Sequence, residues 1–234
     1  MTGSSSLNLL HSKQIIQVVE WLDKGIVHGF SSLESRKPGD LFSVKQVHGV
    51  NGVFPDDFSD LSANNQEGDW LTTRFKATSV AIQTADCLPI LGHDPNSGRS
   101  WAIHAGWRGF LNGILSKSLH FLQAEGVDLS LTEWAIGPAI SKEKFEVGPE
   151  VYKPFEAKFA WLKKAQWKKR ASAGKGDRYH LDLPSLALDE LQKMGVVNTV
   201  AASVCTFSND EWHSYRRSGA KAGRNWSWVA GLND

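Results

Sequence analysis

The sequence predicts an α+β fold, a single layered domain over residues 1–234 in which a mixed β-sheet is flanked by helices. Three observations lead there. Short β-branched and aromatic runs recur along the whole chain, helical apolar periodicity is confined to a few segments, and several strand-like runs adjoin through turns too short for a crossover helix. Neither GxGxxG nor GxxxxGK[ST] occurs, so nothing favours a doubly wound nucleotide fold.

Taken in order, residues 14–22 fit helix and strand equally well. Residues 26–30, 43–48, 78–83, 88–92, 101–104, 133–136, 197–205 and 225–229 read as strands. Residues 110–125 read as one helix, because Leu111, Ile114, Leu115, Ser118, Leu119 and Leu122 repeat at three-and-four spacing and Gly126 suits its C-terminal cap. Residues 149–159 form a weaker helical stretch interrupted by Pro154, and 184–194 a stronger one with Pro184 at its first position and Gly195 beyond its end. Residues 163–178 hold seven basic residues and one acid, with Gly174 and Gly176 breaking any helix. They read as a solvated helix end followed by a loop, or as a patch that tracks phosphates.

Composition bounds the function. With 26 Lys plus Arg against 25 Asp plus Glu the formal balance is +1, which offers no field to gather nucleic acid or an anionic membrane. No apolar run approaches the roughly 18 residues that span a bilayer, and the first ten residues show no basic-then-apolar leader, so the expected address is cytoplasmic. Only two cysteines, Cys87 and Cys205, are present, so a disulfide framework is not expected. A chain of 234 residues buries a sizeable core unaided, and a metal here would serve chemistry rather than folding.

Reactive residues interrupt the strand-like runs at Lys45-Gln46-Val47-His48-Gly49, Thr84-Ala85-Asp86-Cys87-Leu88-Pro89 and His104-Ala105-Gly106-Trp107-Arg108-Gly109. Strand ends distant in sequence can converge in space, which makes His48, Cys87 and His104 a candidate metal set. Two imidazoles and a thiolate suit zinc and leave its fourth tetrahedral position for water. The same three residues also fit two satisfied core histidines and a small buried thiol, and their long spacing does not choose. Gly106, Gly109 and the start of the following helix, with the donor fork of Arg108, suit an anion such as phosphate, or equally a sterically tight strand-to-helix turn. Asp86 can orient a metal-bound histidine, accept a proton, or shape a turn. Of ten tryptophans most belong to the sheets, with Trp107 the leading candidate to stack on a planar ligand. Arg216, Arg217 and Arg224, near Gly219 and Gly223, form either an anion- or partner-holding loop or a basic turn.

Together these segments resemble the laccase-domain family, the multicopper polyphenol oxidase group whose members are also described as purine nucleoside phosphorylases. The resemblance spans about residues 27–229 and rests on KQVHG at 45–49, GDWLTT at 68–73, QTADCLPI at 83–90, HAGWRG at 104–109, GPAI at 137–140, FEVGPEV at 145–151, LDL at 181–183, CTF at 205–207 and SYRR at 214–217. It implies a metal held by His48, Cys87 and His104, and an enzyme that phosphorolyses adenosine, inosine and methylthioadenosine and deaminates adenosine. Zinc is the expected cofactor, with copper the alternative of the older phenol-oxidase description. Phenol oxidation in laccases proper needs many more histidines than one Cys and two His. Under this reading a purine nucleoside and phosphate are the partners. Zinc would acidify a bound water for deamination with Asp86 handling the proton, and phosphate would bind near residues 106–109 with Arg108. Rival readings are a metal-free cysteine hydrolase built on Cys87 and a catalytically dead scaffold with an arginine-rich partner surface. The chain departs from the family where an arginine is expected, at Leu33, for which Arg36 is the candidate replacement.

Overall fold

The structure, a computed structural model, describes residues 7–38, 41–54, 66–73 and 78–230. The first six residues, on which part of the leader reading rests, lie outside them. Alternation along the strands sets the layers. At residues 79–84, Val80 and Ile82 enter one core while Ala81 faces the opposite side with Trp226 and Trp228. At residues 100–105, Trp101, Ile103 and Ala105 face a second core, and Ala102 the first.

One six-stranded sheet combines β1 (Leu9–Ser12), β2 (Ile15–Val18), β3 (His28–Ser31), β4 (Leu41–Phe42), β7 (Ser79–Thr84) and β15 (Asn225–Ala230), in the order β1-β2-β3-β15-β7-β4. The second combines β5 (Gly52–Val53), β6 (Trp70–Thr73), β8 (Leu88–His93), β9 (Ser100–Ala105), β10 (Glu133–Ile136) and β14 (Asn198–Ala201), in the order β14-β10-β8-β9-β6-β5. A small third sheet joins β11 (Glu146–Val147), β12 (Ala171–Ala173) and β13 (Tyr179–Leu181). Pairing is antiparallel except for β4–β7, β5–β6 and β10–β14, so both large sheets are mixed. They pack face to face through Phe30, Val80, Ile82, Leu91 and Val229. The outer face of the second sheet is covered by α2 (Trp107–Leu111), α3 (Ile114–Ala124), α4 (Pro149–Lys158) and α6 (Leu183–Lys193), giving a sheet–sheet–helix stack. Three further helices, α1 (Val19–Asp23), α5 (Lys164–Arg170) and α7 (Tyr215–Ser218), are short. No helix among the described residues is long and apolar enough to cross a membrane.

The α+β layering holds, and the differences have local causes. Residues 14–22 are strand and then helix, β2 running directly into α1. The helix read over 110–125 is two, because Gly113 takes φ +89° and breaks the run between α2 and α3. Residues 43–48 do not continue β4. The amides of Val47, His48 and Gly49 bond to the Asp69 carboxylate at 3.4, 2.9 and 2.6 Å in place of a strand ladder. The strand read over 197–205 stops at Ala201, leaving only an isolated bridge from Cys205 to Ala139. Residues 163–178 fold as α5 and β12, with β12 pairing with β13 rather than trailing as a loop.

Candidate metal centre

Three sequence-distant segments meet at one end of the sheet stack. His104 lies in β9 with the same parity as Ala102, so it faces the space between the two large sheets. Cys87 precedes β8, and His48 sits in the irregular segment after β4. Their ligand atoms all lie within 4.8 Å of one another, with Cys87 Sγ 3.9 Å from His48 Nε2. The two imidazoles meet edge to face at 4.9 Å between centroids.

Gln46 and Asp69 fix this geometry. Gln46 donates Nε2–H to the Gln83 carbonyl and accepts from the Gln83 amide, both at 2.7 Å, pinning the segment that carries His48 to the end of β7. Asp69, fully buried, accepts the amides of Val47, His48 and Gly49 on one side and His104 Nδ1–H at 2.8 Å on the other. One carboxylate thus orients both histidine-bearing segments and leaves His104 Nε2 free for a ligand. His48 and Asp86 take φ +59° and +85°, two of the three non-glycine residues with positive φ among those described. Such strain survives where neighbouring bonds overdetermine the backbone.

Electrostatics pair a thiolate with an imidazolium, whose Nε2 proton an incoming metal ion would displace. Burial pushes the Cys87 thiol up, but hydrogen bonds with His104 and His48 outweigh it and bring the pKa down to about 6. Burial opposes a charge on His104 as well, and its bonds to Asp69 and Cys87 carry it up to about 9. Burial also works against ionised Asp69, yet His104 and the amides of Gly49 and His48 hold it below the ordinary carboxylate range. The donors, two imidazole nitrogens and a thiol that ionises near neutrality, fit a borderline-soft divalent ion of zinc's class. A Cβ on Gly106 would come within 2.9 Å of the His48 ring and 3.3 Å of Cys87 Sγ, so the bare backbone there is what lets the donors close up. Among the described residues no other cluster of His, Cys, Asp and Glu offers a comparable set.

The three donors line a cavity of about 660 Å³ whose wall includes Arg108, Tyr215 and Arg216. Arg108 lies 4.2 Å over the Trp107 ring, so the tryptophan expected to stack on a ligand already carries a guanidinium on one face. Asp86 lines the cavity too, but Oδ1 accepts from Thr206 Oγ1 at 2.6 Å, and Oδ2 accepts Ser214 Oγ at 3.0 Å and the Arg216 amide at 2.6 Å. Arg216 and Arg224 reach the cavity, whereas Arg217 is consumed by the carbonyls of Thr206, Phe207 and Trp212. Arg36 lies by a separate hollow next to Pro38 and Trp228 and not on the wall of the cavity that the three donors line. Asp69 is the residue sequence reasoning missed as part of the site. Its signals were its place in the GDWLTT segment that carries the resemblance and at the head of the apolar run Trp70-Leu71.

A profile described as multi-copper polyphenol oxidoreductase laccase matches residues 26–231. The chain belongs to this laccase family. Within reach of it, a purine nucleoside phosphorylase of Bacteroides thetaiotaomicron is 33% identical over 201 residues, covering 81% of this chain and 73% of that one. Adenosine deaminase RL5, from an unknown prokaryotic organism, is 30% identical over 199 residues, covering 81% and 72%. The crystal structure of YlmD from Geobacillus stearothermophilus shares the fold, with a TM-score of 0.82 at 21% identity over 96% of this chain and 98% of that one. Of the segments that carry the resemblance, KQVHG, QTADCLPI, HAGWRG and SYRR all contribute residues to the cavity wall.

Proposed function

We propose that this protein is a zinc-dependent purine nucleoside phosphorylase that also deaminates adenosine. The observation that carries the reading is the gathering of His48, Cys87 and His104 on the wall of a cavity that also holds Arg108. The names of relatives, a purine nucleoside phosphorylase and an adenosine deaminase, supply the substrate class. When bound, the ion supplies Lewis acidity to a ligand oxygen or water. Asp69 holds His104 in the tautomer and orientation that present Nε2, and Gln46 keeps the His48 segment in place. Arg108, whose guanidinium is paired only with the Trp107 face among the described residues, holds the phosphate that attacks the anomeric carbon as the base departs. The helix start contributes less than its sequence suggests, because α2 spans only five residues. Asp86 acts as a positioning group for the wall at residues 214–216, its oxygens already filled, and not as the proton carrier.

A phenol-oxidising copper cluster is disfavoured because no further histidine joins the donor set among the described residues. His28 and His93 are buried beside Trp21, bonded to Ile26 and Ser100 rather than directed at the cavity. The test incubates purified protein with adenosine, with and without phosphate, and identifies the products. Adenine formed only with phosphate, together with inosine in both arms, is the expected result. Absence of both products overturns the reading. Metal analysis is expected to find zinc near one per chain and its loss in Cys87→Ser, whereas chelator-resistant turnover would favour Cys87 as a free nucleophile.

A further inference from the structure

Tyr215 stands out because it is 57% exposed, yet both of its chain neighbours are anchored by hydrogen bonds. Ser214 Oγ and the Arg216 amide, on either side of it, both donate to Asp86 Oδ2 at 3.0 and 2.6 Å. Ser214 Oγ also accepts the Arg217 amide at 3.1 Å, capping α7. The Arg217 side chain clasps carbonyls of residues 206, 207 and 212 behind it. The Arg216 guanidinium reaches back to the carbonyls of Lys144 and Glu146. Because Asp86 adjoins Cys87, the ring is tied to the metal-binding turn through one carboxylate.

Other aromatic rings at the cavity are less available. Trp107 carries Arg108 on its face at 4.2 Å, and Phe145 is buried with the Arg216 guanidinium 5.8 Å from its centroid. Tyr215 lines the cavity, and among the described residues its ring makes no stacking or edge contact with another aromatic ring. An exposed ring on a preorganised backbone costs little further entropy when a flat ligand docks on it.

We propose that Tyr215 is a specificity-determining residue whose ring stacks on the heteroaromatic base of the substrate, with Asp86 as the positioning residue that holds it at a set place relative to Cys87. This rests on the purine reading above. It assigns one face of the base to the rim formed by α7, on the same cavity as the metal donors. Recognition by stacking tolerates different bases, because every base has a π-face, so Tyr215 selects for a planar ring and not for one purine over another.

The experiment compares wild type, Tyr215→Phe and Tyr215→Leu, measuring KM and kcat for adenosine and for inosine, with zinc content determined for each. Loss of one base–aromatic stack is worth roughly five- to a hundredfold in affinity. The expected result is that Tyr215→Leu raises KM for both nucleosides about tenfold with kcat and zinc little changed, while Tyr215→Phe stays within about twofold of wild type. Equal KM in Tyr215→Leu and wild type overturns the inference, as does a Phe variant as impaired as the Leu variant, which would place the function in the hydroxyl. A wild type that acts on neither nucleoside removes the purine reading itself, and the inference with it.

Discussion

Asp69 shows how much of the centre depends on one side chain that supplies no ligand atom. Its oxygens hold three amides of the His48 segment and Nδ1–H of His104. Asp69→Asn keeps the volume but turns an NH2 group toward a backbone N–H or the imidazole N–H, setting donor against donor. Metal affinity is expected to fall about 10–100-fold, measured by competition with a chelator, while the far-ultraviolet dichroism stays unchanged. An unaltered affinity would remove Asp69 from the account. At this scale the sequence was legible where chemistry is distinctive. His48, Cys87 and His104 stand at the ends of apolar runs, and few residue types bind zinc. Asp69 was not legible, since an aspartate heading a strand reads as a turn. Nor were the groups that fill Asp86, which lie 120 to 130 residues further along the chain.

Among the elements, α2 bears on the two readings that the sequence leaves open for its glycines. Gly106 and Gly109 suit either an anion or a sterically tight strand-to-helix turn. In the structure a Cβ on Gly109 would lie 2.5 Å from the Gly49 carbonyl oxygen, so the helix is packed against the protein's own His48–Gly49 turn. Gly109→Ala must therefore move backbone, and overpacking of this kind costs about 1–3 kcal/mol. The expected outcome is a lower urea midpoint together with weaker metal binding. Loss of stability with metal affinity intact would mean that the turn yields without carrying His48 along. Strands β7 to β10 and β15 were readable from their β-branched and aromatic runs. The two-residue strands β4, β5 and β11 were not, since pairs that short carry no periodicity and exist only because a neighbouring edge is there to receive them.

Across the whole molecule, two buried histidines sit at the end of the sheets opposite the donor set, and they set its acid limit. His28 donates Nδ1–H to the Ile26 carbonyl and accepts the Val18 amide at Nε2, a neutral tautomer with no place for a second proton. His93 bonds Ser100 Oγ through Nδ1, and its buried Nε2 meets no partner among the described residues. Burial pushes both pKa values down to about 4 from 6.5. The unfolded chain therefore binds these protons first, and the stability they contribute is full above about 6.5 and lost as pH falls through 4. His104, raised to about 9, has the opposite sign and offsets only part of this. Denaturant midpoints should fall between pH 7 and 5 by an amount equivalent to about 2 kcal/mol per buried histidine. A flat profile would show that these imidazoles charge without penalty. The layering was legible overall, but the division into two stacked sheets was not, because it depends on which strands the chain's distant ends bring together. β15 illustrates that dependence: it lies between β3 and β7, bonded to both. On the ribosome those two neighbours emerge before residues 225–230 exist, so the middle of the first sheet stays an open slot until β15 is made. Such non-local closure is slow and leaves unpaired edges exposed in the meantime. Seating β15 between β3 and β7 is therefore the non-local step on which the pairing of the first sheet waits.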